Sequence, residues 1–258
     1  MRLLVRWAGL DDAARHMGQH GWVIDARSLW DFDDPAGSER RLRAAADGSA
    51  GAERDAWLTQ VARALGLEGR FDDAHAVLDT LDDADPEVGT RLSLERGRLL
   101  RSAGETAAAR PQFESAVRLA RDAGLEELVV DALHMVALVT EGEERAAAQH
   151  SALAAARTAG DPGARDWDAS ILNNMGMDHA DAGDHGRALA CFEEALAARE
   201  RIGDPANTRV ARWMVAWSLR HLGRRDEALD LQRRLKAELE ATGQADPYVD
   251  EELALLEE

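Results

Sequence analysis

The sequence predicts an all-α fold, a right-handed α-solenoid of about five helical hairpins with capping helices at its ends. Three observations predict it. The chain of 258 residues is rich in Ala, Leu and Arg and holds six Pro, one Tyr and four Phe, a composition that favours helix over sheet. No run of alternating β-branched residues occurs in it. Most telling, Gly97, Gly104, Ala109, Phe113 and Ala116 return at identical spacing as Gly176, Gly183, Ala188, Phe192 and Ala195, and self-similarity at a fixed period is the mark of a repeat architecture.

The same frame fits Ala62, Gly69, Ala74, Leu78 and Leu81, and again Ala216, Gly223, Ala228, Gln232 and Leu235. A degenerate copy, its turn two residues shorter, fits Ala137, Gly142, Ala147, Ser151 and Ala154. Each point of the frame has a physical reason. A small residue lets the first helix approach the second closely, and the glycine seven positions on supplies a permissive turn backbone. Alanine followed four residues later by Phe or Leu packs the second helix back. One such hairpin cannot bury both its faces, so neighbours must stack. The predicted hairpins run over about 55–85, 90–122, 126–159, 165–202 and 206–243, in one domain spanning 29–258.

Ahead of the first hairpin, Asp34 and Pro35 read as an N-cap and first helical residue, opening a helix to about Ala46. Residues 47–52 read as a short loop. Residues 1–28 lack periodicity and are expected to form a separate arm or helix. At the other end, Asp246-Pro247 opens a capping helix over 247–258, with Leu253 and Leu256 turned to the last hairpin and its acids to water.

Charge and cysteine content narrow the function. With 49 acids against 31 bases and a net charge of −18, the chain lacks the basic footprint of a nucleic-acid binder. The apolar stretch Leu128–Val139 is interrupted by Asp131 and His134 and is too short to span a bilayer, so it reads as a buried helix and no membrane is expected as partner. The N-terminus lacks the apolar core of a secretory signal, which points to the cytoplasm. Single Cys191 excludes an intramolecular disulfide and a multi-cysteine zinc site. There is no HExxH, no glycine-rich phosphate loop and no nucleophile elbow, and neither metal nor cofactor is expected.

The five-point spacing resembles that of the tetratricopeptide repeat, although His179 and His185 stand where tyrosine is common in such repeats. From Trp30 onward the chain also resembles a group of bacterial cytoplasmic tetratricopeptide proteins to which no activity is attached. That likeness rests on Trp30–Glu39, on Ala107–Pro111 with Phe113, on Val130–Ala132 with His134-Met135, on Asn173-Asn174 and on Ala211–Trp213; the similar proteins continue beyond Tyr248–Leu253 into a further hairpin. The resemblance implies that the first helix of each hairpin lines a concave surface. On that surface it places Gln60, Arg63, Arg91, Glu95, Arg98, Asp131, His134, Asn173, Asn174, Trp213 and Trp217.

Concave solenoid surfaces are the usual binding sites of such arrays, so the reading is a non-catalytic scaffold that holds a protein or peptide segment. Arg63, Arg91 and Arg98 make one end of the groove basic and favour an acidic or carboxylate-bearing ligand. The grip on a C-terminal carboxylate known in the family is not matched, because Thr59 and Leu94 stand where cationic or amide groups are needed. Replacing Asn174 and Arg98 by Ala is expected to abolish binding at nearly unchanged stability. Three other readings stay open. Residue by residue, Asn173 would be an inter-repeat spacer, Glu95 and Arg98 a helix-surface ion pair, and Trp213 core. Alternatively the cavity binds a small molecule, as a sensor or as an enzyme using Glu95, His134, Asn173 and Asn174 with Asp131. Finally, the chain would be a stand-alone relative of the helical sensor domains of transcription regulators, without their contact to DNA.

Overall fold

Every element of regular structure in the computed structural model, which describes Ile24 and residues 26–258, is helical. After a short 3-10 turn at Arg27–Leu29 come α1 (Pro35–Asp47), α2 (Gly51–Leu67), α3 (Phe71–Leu78), α4 (Pro86–Ser102), α5 (Thr106–Ala123), α6 (Glu126–Ala137), α7 (Gly142–Thr158) and α8 (Pro162–Asp166). They are followed by α9 (Asp168–Asp181), α10 (His185–Ile202), α11 (Pro205–His221), α12 (Arg225–Ala241) and α13 (Pro247–Glu257). Most of the arm expected over 1–28 lies outside the described residues.

Contacts gather the described residues into two compact units, one ending at Trp167 and one running from Asp168 to Glu258, where the sequence reading has one domain. In the first unit α2/α3, α4/α5 and α6/α7 are hairpins, α1 packs on α2, and α8 packs on α6 and α7. Leu42, Val61, Leu65, Leu78, Val88 and Leu92 form its main core. In the second unit α9/α10 and α11/α12 are hairpins and α13 caps them through α12 and α11. Its core gathers Phe192, Met214, Leu219 and Leu235 with Leu253 and Leu256 of the cap.

Five helices begin with Asp-Pro. Asp34, Asp85, Asp161, Asp204 and Asp246 each turn a carboxylate onto backbone N–H groups of the first turn, accepting from Gly37, from Glu87 and Val88, from Gly163, from Ala206 and Asn207, and from Tyr248 at 2.9–3.3 Å. The following proline has no N–H to satisfy and a φ already suited to a helix. The short loop expected at 47–52 is shorter still, since extended Ala50 lets α2 start at Gly51.

The hairpins close as the repeat frame requires. A Cβ built on Gly97 would stand 2.4 Å from the Phe113 ring, and one on Gly176 would stand 2.5 Å from the Phe192 ring. Each phenyl ring therefore fills the space a side chain would take, which brings the two helices of the hairpin together. Gly104 and Gly183 occupy the turns with φ of 83° and 77°, a region L side chains avoid. In the shorter turn before α7, the Thr140 hydroxyl donates to the Val136 carbonyl at 3.0 Å, and Arg145 Nε donates to the Thr140 carbonyl at 2.8 Å.

Candidate functional site

The side chains that the repeat frame assigns to a groove divide between the two units. In the first, α2 carries Gln60 and Arg63, α4 carries Arg91, Glu95 and Arg98 one turn apart, and α6 carries Asp131 and His134. Helical spacing puts each set on one stripe of its helix, and all seven side chains are buried.

Arg98 is the hub. Its Nη1 donates to Glu95 Oε1 at 2.6 Å on its own helix, and its Nη2 donates to both carboxylate oxygens of Asp131 on α6, at 2.5 and 2.7 Å. Arg91 Nε donates to Glu87 Oε1 at 2.8 Å one turn away, both side chains being buried. Of the three arginines expected to make one end of the groove basic, Arg91 and Arg98 are held by buried carboxylates, and Arg98 joins α4 to α6. Burial is also the main force on Glu95, whose carboxyl is pushed above its ordinary value although nearby Arg98 and Arg63 pull it down. Glu95 is 1% exposed, and its Oε2 has no hydrogen-bond partner among the described residues.

Aromatic groups that the frame does not include complete this face. Trp30 and Phe32 stack at 5.0 Å, 6° from parallel, and the Arg63 guanidinium lies 5.7 and 5.9 Å from their ring centres, within reach of a cation–π attraction. Trp30 Nε1 donates to Gln60 Oε1 at 3.3 Å. His134 meets the ring of Trp167 at 5.4 Å, and Trp167 Nε1 is buried with no hydrogen-bond partner among the described residues. These tryptophans lie outside the repeat frame, one before the α1 cap and one between α8 and α9. A Trp beside a predicted cap is the one sequence signal that could have flagged the first.

In the second unit Asn173 and Asn174 lie on α9, half-buried. Neither amide forms a hydrogen bond among the described residues, which sets the pair apart from the arginines and carboxylates of the first unit. The open alternative for Trp213 is the one realised, for its ring is core: Nε1 donates to the Tyr248 carbonyl of the cap at 3.2 Å, and the two rings meet edge to face at 6.5 Å. Half-buried Trp217 contacts the rings of His185 at 5.5 Å and His221 at 3.9 Å. His221 Nδ1 lies 2.9 Å from the Trp217 carbonyl. Burial, assisted by Arg220 and His185, lowers the pKa of His221 against the pull of that carbonyl.

No group of three or more His, Cys, Asp or Glu side chains among the described residues is arranged to hold a metal ion. No helix among them is long and apolar enough to cross a membrane.

Comparison with known proteins agrees with this architecture. Residues 167–237 match the family model described as tetratricopeptide repeat. No curated protein matches the chain in sequence. Among solved structures, BtubC (BKLC) from P. vanneervenii is 20% identical, with a TM-score of 0.62 over 87% of this chain and 94% of that one. A Signal Transduction ATPase with Numerous Domains from Pyrococcus horikoshii, which carries a tetratricopeptide repeat sensor, is 13% identical with a TM-score of 0.68, over 86% of this chain and 36% of that one. The apo form of the quorum sensor NprR from B. thuringiensis is 18% identical with a TM-score of 0.61, over 91% of this chain and 67% of that one. At these identities the likeness is one of fold.

Proposed function

We propose that the chain, whose residues 167–237 match the tetratricopeptide-repeat model and whose helices pair as hairpins, is a non-catalytic interaction scaffold whose first helices hold a protein or peptide segment. The observation that carries the reading is the Asn173-Asn174 pair. Asn is a poor helix former that prefers caps and turns, yet two of them sit side by side within α9 and form no side-chain hydrogen bond among the described residues. Side-chain amides offer both donors and acceptors, which suits them to a main chain or to a polar side chain. Two proteins of similar fold, a sensor module and a quorum sensor by their names, fit a recognition role. The cytoplasmic setting expected from the sequence belongs to the same proposal.

The preference for an acidic ligand is not carried forward, since Arg91 and Arg98 are already neutralised by Glu87, Glu95 and Asp131. Nor is acid–base catalysis. Asp131 is bound by Arg98 through both oxygens and Glu95 through one, so these carboxylates serve the packing of α4 on α6.

The test is selection of linear random peptides on the intact chain, followed by affinity measurement on the Asn173→Ala/Asn174→Ala variant. Enriched peptides should bind the variant at least about tenfold more weakly, the loss of one or two good hydrogen bonds. The melting temperature should hold or rise slightly, because Ala is the better helix former. Failure to enrich any peptide, or equal affinity for both proteins, refutes the proposal.

A further inference from the structure

Two imidazoles and an indole meet where the α9/α10 hairpin joins α11. His185 is the first residue of α10, and Trp217 and His221 lie one turn apart at the end of α11. The ring centres of His185 and His221 are 4.6 Å apart, with the rings 34° from parallel. Trp217 touches both, the His221 ring at 3.9 Å and the His185 ring edge-on at 5.5 Å. Because α10 packs on both α9 and α11, the three rings stand at the junction between hairpins. Trp217 also belongs to the stripe of α11 that the repeat frame assigns to the groove, and it is only half-buried.

This cluster accepts one positive charge far better than two. His221 Nδ1 lies 2.9 Å from the Trp217 carbonyl, which can only accept, so Nδ1 carries the proton of the neutral ring. One imidazolium gains a cation–π attraction from the indole. Two imidazoliums with centres 4.6 Å apart repel. His185 Nδ1 is shielded from solvent with no hydrogen-bond partner among the described residues, so a proton placed there would be a donor with nothing to receive it. The charged groups around the pair come from every neighbouring element. Arg220 precedes His221 and is held by Glu252 of α13 at 2.7 and 2.8 Å. Asp184 caps α10 and pairs with Arg187. The end of α9 carries Asp178, His179 and Asp181. At the start of α12, Arg224 pairs with Glu227 and Arg225 donates to the carbonyls of Leu255 and Leu256. On His221 burial weighs most, and with Arg220 and His185 it lowers the pKa against the opposing pull of the Trp217 carbonyl and Glu252.

We propose that His185 and His221 form a proton-sensitive latch on the peptide site: with at most one ring charged they hold Trp217 in place on the groove stripe, and a second proton drives them apart and frees the indole. This rests on the peptide-binding reading above and supplies its regulation. By linkage, the closed arrangement, in which the pKa of His221 is lowered, binds fewer protons than the open one. It is therefore favoured above the ordinary histidine value of about 6.5 and lost as pH falls below it. A segment that rests on Trp217 as well as on the Asn pair binds best at neutral pH and is released in acid.

Proton NMR of the intact chain reads the latch without any ligand. The Cε1 proton of His221, identified by its absence from His221→Gln, should titrate at lower pH in the wild type than in His185→Gln. The indole signals of Trp217, identified by their absence from Trp217→Phe, should move with that step in the wild type and stay in place in His185→Gln. Linear peptides free of His, Asp and Glu, with both ends blocked so that they do not titrate, are then enriched on the intact chain at about pH 7.5. Their affinity should fall about three- to fivefold by about pH 5.5, near the limit set by a tenfold difference in proton affinity between the two arrangements. On His185→Gln it should stay level. His221 titrating at the same pH in both proteins, Trp217 signals indifferent to pH, or equal release by acid from both proteins overturns the latch and leaves the scaffold standing. Enrichment of no peptide overturns the scaffold and, with it, the control of its site.

Discussion

Gln232 is the test of how far the repeat frame explains stability. It occupies the position filled by Leu78, Phe113 and Phe192 in other hairpins, it is fully buried in α12, and neither its Oε1 nor its Nε2 has a hydrogen-bond partner among the described residues. Burying an amide without compensation costs about 1–3 kcal/mol on the scale of protein mutational data. The first hairpin shows what the site accepts, because Ala62 faces Leu78 at the same spacing as Ala216 and Gln232, and both Ala62 and Leu78 are fully buried. Gln232→Leu should recover about 1–3 kcal/mol, an upward shift of roughly 2–12 °C in the melting temperature at about 2–4 °C per kcal/mol for a chain of this size. Gln232→Met, closer to Gln in shape, should recover a similar amount. Reversible denaturation of the three proteins, with m-values compared to exclude a change in the unfolded ensemble, measures it. A melting temperature unchanged or lowered in both variants would show that the amide is satisfied in solution, and would remove the assumption that the frame wants an apolar side chain there.

Other consequences are as direct. Arg98→Ala leaves Glu95 and Asp131 buried without their cation and should cost about 3–5 kcal/mol; the expectation that this change spares stability is thus reversed, and thermal melting decides. The raised pKa of Glu95 means that its carboxyl ionises less readily in the folded chain than in the unfolded one. Its contribution is therefore most favourable in acid and is lost as pH rises from about 4.5 towards the raised folded value, so the stability gap between Glu95→Gln and the wild type should widen in favour of Gln over that window, read by melting at a series of pH values. Gly176→Ala drives a methyl into the Phe192 ring and should destabilise by about 1–3 kcal/mol in chemical denaturation; a neutral result would mean that α9 and α10 can separate freely.

The helices were largely legible because their signals are local. Asp-Pro marks five helix starts, and the interval from Gly97 to Phe113 or from Gly176 to Phe192 encodes a close contact between the two helices of a hairpin. The side chains of the predicted groove were legible as positions and not as partners. Nothing in the spacing says that Arg98 reaches Asp131, 33 residues away, or that Arg91 is already matched by Glu87, so charge read along the sequence suggested a basic surface where the fold contains neutralised pairs. Trp167 was missed for a related reason: it follows a five-residue helix outside the repeat period, and its meeting with His134 depends on how α8 packs on α6. The Asn pair stands out in the sequence alone, since its oddity is one of local propensity.

The Asp-Pro starts have a consequence for how such a chain is assembled from parts. A helix that carries its own capping carboxylate and its own preset φ does not need the preceding repeat to tell it where to begin. The stretch from Asp204 to Ala245, between one Asp-Pro and the next, is therefore a self-punctuated cassette: it opens with its own cap, turns at Gly223 and ends just before the signal that starts α13. Duplicating or excising it would change the length of the array while leaving every remaining helix boundary where it was.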